Sequence, residues 1–143
     1  MRNKVILLVE DNPDDVELTL RAFEQNQIAH QVVVARDGVE ALDMLSGTGA
    51  YVGNPTRPEL VILDVNLPRL SGLEVLRRMR ADERIRRIPV VMLTSSQEDR
   101  DILASYDLGA NSFVQKPVDF VKFREAARQL DTYWLTLNQG PNR

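Results

Sequence analysis

Five side chains capable of chemistry follow short apolar runs. Glu10 and Asp11 come directly after Val5–Val9, Asp64 after Leu60–Leu63, Thr94 after Val90–Leu93, and Lys116 shortly after Phe113–Val114. A single acidic residue in such a place has an ordinary explanation as a helix cap or a solvated turn; the joint occurrence is what signals a site. Three carboxylates brought together repel one another, so either their pKa values rise or a cation neutralises them. With no histidine or cysteine near these positions, a hard divalent ion with oxygen ligands is the natural partner. Mg²⁺ retaining several waters fits better than zinc or a full calcium cage. The backbone carbonyl of Asn66, in the turn after Asp64, offers one more oxygen.

A carboxylate can attack phosphorus to form an aspartyl phosphate if the charge developing on the equatorial oxygens meets a metal and preorganised donors. Asp64 is the best nucleophile because it stands in the middle of the array, flanked by Glu10 and Asp11 as metal ligands. The Thr94 hydroxyl and the Lys116 ammonium are suitable donors to the phosphoryl oxygens.

The elements that must position these groups are legible from hydrophobic period. Val5–Val9, Val32–Val34, Leu60–Leu63, Val90–Leu93 and the weaker Phe113–Val114 do not alternate with polar residues, and so read as strands covered on both faces, the pattern of a parallel sheet. Asn12 and Pro13 predict an N-cap and first position for a helix whose apolar face carries Val16, Leu20 and Phe23. Gly38–Leu45 and Gly72–Arg80 predict the second and third helices. Ser95–Glu98 is a capping box for a fourth that stops at Gly109. A fifth begins near Asp119, with Phe120, Phe123, Ala127, Leu130, Trp134 and Leu137 stepping by three and four. Alternating strands and helices predict a flavodoxin-like doubly wound α/β fold with sheet order 2-1-3-4-5, with the first and last helices on one face and the others on the opposite one. Ligands in such sheets bind beyond the carboxyl ends of the strands at the switch point, here between the first and third, where the reactive residues fall.

Composition narrows the class. A chain of 143 residues, 43% hydrophobic and 27% charged, suits one globular domain with a single core. Eighteen basic against twenty-one acidic residues leave a formal charge of −3, without the basic surplus of a nucleic-acid binder. Arg77, Arg78, Arg80, Arg84, Arg86 and Arg87 do cluster, but at a spacing that suits the solvated face of a helix and the loop after it. Absence of cysteine removes disulfides and thiol catalysis and suits a reducing compartment. No export signal or membrane span is visible, which points to a cytoplasmic protein with no membrane partner.

Four pieces of sequence then carry a resemblance: Val9-Glu10-Asp11-Asn12, Leu63-Asp64-Val65-Asn66-Leu67-Pro68 with Gly72, Leu93-Thr94-Ser95, and Lys116-Pro117. In this order the chain resembles, over nearly its whole length, the receiver domain of two-component response regulators. The resemblance implies that Asp64 takes a phosphoryl group from a phosphohistidine on a sensor histidine kinase, that the acidic pair binds Mg²⁺, and that Thr94 and Lys116 sense the phosphoryl oxygens. It implies a cis peptide bond between Lys116 and Pro117. It also gives Phe113 the place of an aromatic switch that moves inward with Thr94, whereas strand composition alone makes it a core aromatic. Leu67, Leu70 and Ser71 depart from the usual Met-Pro-x-Met-Asp-Gly turn, and Ser95 stands where alanine is common; none of these is a reacting group. The long loop before the third strand, the segment after Asp64 and the Trp134-bearing tail look most like single-domain regulators serving bacterial phytochrome-type kinases. On this reading residues 1–143 form one receiver domain with a helical extension from about 131 and no output domain.

Three other classes compete. A haloacid dehalogenase-type phosphatase would use similar chemistry, but its nucleophile follows the first strand in Asp-x-Asp, and here that strand ends in Glu10-Asp11-Asn12-Pro13. A flavin-binding module wants a glycine- or hydroxyl-rich loop there, and Asp14 and Asp15 would repel a flavin phosphate. A pseudo-receiver scaffold is disfavoured by five filled positions. The Ser46–Pro58 loop reads equally as a partner contact or a passive insertion. The stripe through Leu130, Trp134 and Leu137 either folds back on the domain or joins the fourth and fifth helices and fifth strand in a homodimer surface that responds to phosphorylation.

Overall fold

The computed structural model describes residues 4–26, 31–94, 106–115, 120–130 and 133–134. Five parallel strands, β1 (Val5–Val9), β2 (Gln31–Ala35), β3 (Leu60–Leu63), β4 (Val90–Thr94) and β5 (Ser112–Gln115), form one sheet in the expected order β2-β1-β3-β4-β5. β1 and β3 run as neighbours in the middle, with Val9 opposite Leu63. Their side chains are almost wholly buried because helices cover both faces.

The described helices are α1 (Pro13–Gln25), α2 (Gly38–Ser46), α3 (Gly72–Ala81) and the C-terminal α4 (Phe120–Leu130), with a 3₁₀ turn at Gly49–Tyr51. Each of the first three begins at a side-chain cap. Asn12 Oδ1 accepts from the N–H groups of Asp14 and Asp15, Asp37 from Glu40, and Ser71 from Glu74. Such caps satisfy donors that a helix start leaves unpaired. α2 ends on Gly47 at φ 70°, a left-handed position that suits glycine. The helix expected from Ser95 and the Lys116–Pro117 bond lie outside the described residues.

Two apolar layers sandwich the sheet. Ala41, Met44 and Leu45 of α2 and Val75, Leu76 and Met79 of α3 pack on one face. Val16, Ala22 and Phe23 of α1 meet Ala127 of α4 on the other. This is the predicted distribution for the first and last helices. A polar clasp closes the α1–α4 seam: Asn26 Nδ2 donates to the Arg124 carbonyl at 2.8 Å, and Arg124 Nη1 to Gln25 Oε1 at 3.0 Å. Trp134 packs against the α1-side layer, while Tyr133 beside it is 52% exposed. At Trp134, then, the tail lies on the body of the domain; Leu137 is outside the described residues.

The Ser46–Pro58 loop is strapped to α2. Thr48 Oγ1 donates to Asp43 Oδ1 at 2.8 Å, the Thr56 N–H to the Met44 carbonyl at 2.7 Å, and the Arg57 guanidinium to the Leu45 carbonyl. Tyr51 packs on the α2–α3 layer.

The arginine run is not uniform. Arg77 and Arg78 are exposed and pair with Glu74, as a solvated face should. Arg80 departs from that expectation. It is partly buried, burial lowers its pKa from the usual arginine value, and its guanidinium donates to Gly109, Arg86, Ile88 and Asn111. Hydrophobic periodicity does not reveal this, because it carries no information on hydrogen-bond acceptors, and Gly109 and Asn111 come from a segment distant in sequence.

Candidate functional site

The carboxyl ends of β1 and β3 bring three acids together. One carboxylate oxygen each from Glu10, Asp11 and Asp64 lies within 4.8 Å of the others. Glu10 is 3% and Asp64 7% exposed, whereas Asp11 faces solvent. The arrangement follows from the sheet. The Asp64 N–H donates to the Val9 carbonyl at 3.1 Å and the Glu10 N–H to the Ala35 carbonyl at 3.0 Å, so the ladder continues one residue past each strand and fixes both acids.

The turn after Asp64 is tightly built. The Asn66 N–H donates to Asp64 Oδ1 at 2.9 Å, and the Asn12 N–H to Glu10 Oε2 at 3.3 Å. The Gly72 N–H returns to the Val65 carbonyl at 2.9 Å, which presses the start of α3 against the turn. A Cβ at Gly72 would lie 2.0 Å from the Asp64 carbonyl oxygen, so only glycine fits there. Gly38 is similarly close to Leu70, where a Cβ would meet the carbonyl oxygen at 2.4 Å. Arg69 adopts φ 66°, a left-handed conformation uncommon for a residue with a side chain. Its guanidinium reaches Asp37 Oδ2 at 3.2 Å and ties the turn to the cap of α2.

Of the other predicted site residues, Thr94 ends β4 opposite Gln115 of β5, at the same edge of the sheet as the acids, and Phe113 stands opposite Met92. Both are placed here by strand register. Lys116 lies outside the described residues. Sequence reasoning did not foresee the Arg69–Asp37 pair, for which no short-range pattern exists, or the second duty of Asn12 as a donor to Glu10. The donor set of three carboxylates with the Asn66 carbonyl nearby in sequence fits a hard, oxygen-seeking divalent cation.

Comparison with known proteins agrees with this geometry. Residues 6–128 match the family model described as the response regulator receiver domain. The chain belongs to this family. Among relatives, the response regulator Rcp1 of Synechocystis is 37% identical over 92% of this chain and 89% of its own length. A structure of Rcp1 in its Mn²⁺-bound form superposes with a TM-score of 0.89 at 36% identity, covering 97% of this chain and 99% of that one. The phosphorylated cyanobacterial phytochrome response regulator RcpA gives a TM-score of 0.92 at 37% identity, covering 99% and 100%. The bacteriophytochrome response regulator AtBRR is 52% identical, with a TM-score of 0.77 and coverage of 97% and 100%. The receiver fold therefore extends over nearly the whole chain. No helix among the described residues is long and apolar enough to cross a membrane.

Proposed function

We propose that this receiver accepts a phosphoryl group on Asp64 from the phosphohistidine of a sensor histidine kinase of the phytochrome type, in a reaction that depends on Mg²⁺. The observation that carries the reading is the acid cluster: two buried carboxylates and one exposed, within 4.8 Å. Such crowding is unfavourable without a counter-charge. Glu10, Asp11, Asp64 and the Asn66 carbonyl would hold the ion. When bound, Mg²⁺ neutralises charge on the phosphoryl oxygens.

The protein's own groups do the rest. An Asp64 oxygen attacks phosphorus as the imidazole nitrogen departs; the P–O bond forms, the P–N bond breaks, and the imidazole keeps the electron pair. The product is an acyl phosphate. The Thr94 hydroxyl and Lys116 ammonium donate to its oxygens, and water later hydrolyses it slowly. The chain thus promotes its own phosphorylation and dephosphorylation and is a signalling phosphoprotein, not a turnover enzyme.

A phosphoryl group adds roughly −1.5 to −2 charges and three acceptor oxygens. It draws Thr94 toward it and leaves space for Phe113, redistributing two conformations of a protein-binding surface. That surface comprises the segment 95–109, β5, α4 and the C-terminal extension, and it serves a homodimer or a relay partner. The same reading makes residues 1–143 a receiver that works in the cytoplasm. The relatives named as phytochrome response regulators support the kinase class.

Intact mass after incubation with acetyl phosphate tests the chemistry. One phosphoryl group is expected with Mg²⁺ and none in excess chelator. No gain in either condition, or equal gain in both, contradicts the proposal.

A further inference from the structure

The Arg80 guanidinium joins three segments at the end of the sheet opposite the acids. Nε donates to the Gly109 carbonyl at 2.8 Å, Nη1 to the carbonyls of Arg86 at 2.9 Å and Ile88 at 2.8 Å, and Nη2 to Asn111 Oδ1 at 3.0 Å. Asn111 in turn grips the first residue of β4: its Oδ1 accepts from the Val90 N–H at 2.9 Å, and its own N–H donates to the Val90 carbonyl at 2.9 Å. The segments that lead into β4 and β5 are therefore both fastened to the last turn of α3.

β5 needs such a fastening. It has four residues and lies at the sheet edge, with β4 as its one strand neighbour among the described residues. A strand with a single neighbour has one ladder to hold its register, where a central strand has two. Its register matters because Thr94 stands opposite Gln115, and the next residue is Lys116.

We propose that Arg80 and Asn111 are positioning residues for phosphoryl transfer: their clamp pins β5 to β4 and thereby fixes the register in which β5 meets Thr94 at the carboxyl edge of the sheet. This inference rests on the receiver reading above. A slip of one residue moves a strand by about 3.3 Å, while a displacement of about 1 Å at a reacting centre can cost about a hundredfold in rate. Even partial loosening of the clamp is therefore felt at the site. Glu10, Asp11 and Asp64, which follow β1 and β3, are not held by it.

The test compares Arg80→Ala, Arg80→Lys and Asn111→Ala with the parent at a temperature where each is folded. Three quantities are read: amide hydrogen exchange of β5 against β1 and β3, Mg²⁺ affinity, and the acetyl phosphate labelling rate. Arg80→Ala and Asn111→Ala should lose protection selectively in β5 and label about tenfold more slowly, with Mg²⁺ affinity unchanged. Arg80→Lys should recover part of both losses. Parental labelling in all three variants overturns the proposal, as does loss of protection spread evenly over β1, β3 and β5. If Arg80→Ala does not fold, the other two variants carry the test. A parent that takes no label refutes the receiver chemistry instead, and the exchange arm still reads the clamp.

Discussion

The two sides of the site are built in different ways. The acidic side sits on β1 and β3, which have strand neighbours on both flanks and nearly complete burial. Its residues are fixed by the sheet ladder, from Asp64 to Val9 and from Glu10 to Ala35, and by the turns that follow: Asn66 to Asp64, Asn12 to Glu10, and Gly72 against the Asp64 carbonyl. The side expected to receive the phosphoryl oxygens depends on β4 and on β5, an edge strand fastened from its far end by Arg80 and Asn111. A central strand end is held by the ladders on its two flanks, whereas an edge strand has one ladder and here gains a side-chain tie at its start. Metal affinity and the positioning of β5 should therefore respond to different mutations.

The largest effect is expected at the acid cluster. Asp11→Ala should slow labelling by about a hundredfold, the scale of losing one electrostatic partner at a reacting centre, while thermal stability holds or rises because a like charge is removed. Calorimetric Mg²⁺ titration beside the labelling assay checks it; parental rate and affinity would remove Asp11 from the cluster's function. Next comes Gly72→Ala, which forces a Cβ to 2.0 Å from the Asp64 carbonyl oxygen. Overpacking of this kind costs about 1–3 kcal/mol, readable by denaturant unfolding, and should displace the acceptor turn so that labelling falls along with stability. A stable, fully active Gly72→Ala protein would show that the close approach is not required.

The smallest effect belongs to Glu74, on the same helix as Arg80. Hydrogen bonding from Arg77 lowers the Glu74 carboxyl to about 2 from an ordinary value near 4.5. Because the folded-state pKa is depressed, any stabilisation is present above the unfolded pKa and disappears as pH falls toward 2. The pair is on the surface, so the contribution is slight. The difference in Tm between parent and Glu74→Gln should be small at neutral pH and vanish near pH 2, with labelling unaffected. A large effect on labelling would mean that the exposed arginines of α3, and not Arg80 alone, couple to the site.

Much of the fold was legible because its signals are local. β1 and β3 run over Val5–Val9 and Leu60–Leu63 as the apolar runs predict, and Asn12 with Pro13 starts α1. β2 extends one residue beyond Val32–Val34 at each end, since Gln31 and Ala35 still pair with β1 although the apolar run does not include Gln31. The clustering of Glu10, Asp11 and Asp64 followed from sheet order, because neighbouring strands place their ends together. What sequence could not show were ties between distant segments. Arg80 looks like its neighbours in the arginine run until Gly109 and Asn111 are brought beside it. The left-handed Arg69 stands where a glycine would have announced the turn.

Locating the phosphoryl group decides whether Asp64 is its acceptor. Protein labelled with acetyl phosphate and Mg²⁺ is reduced with borohydride, which converts an aspartyl phosphate to homoserine, and is then mapped by peptide mass spectrometry. The expected result is homoserine at position 64 and an unlabelled Asp64→Asn variant. Homoserine at Asp11 or another aspartate in the parent, or an Asp64→Asn protein that labels as fast as the parent, would contradict it.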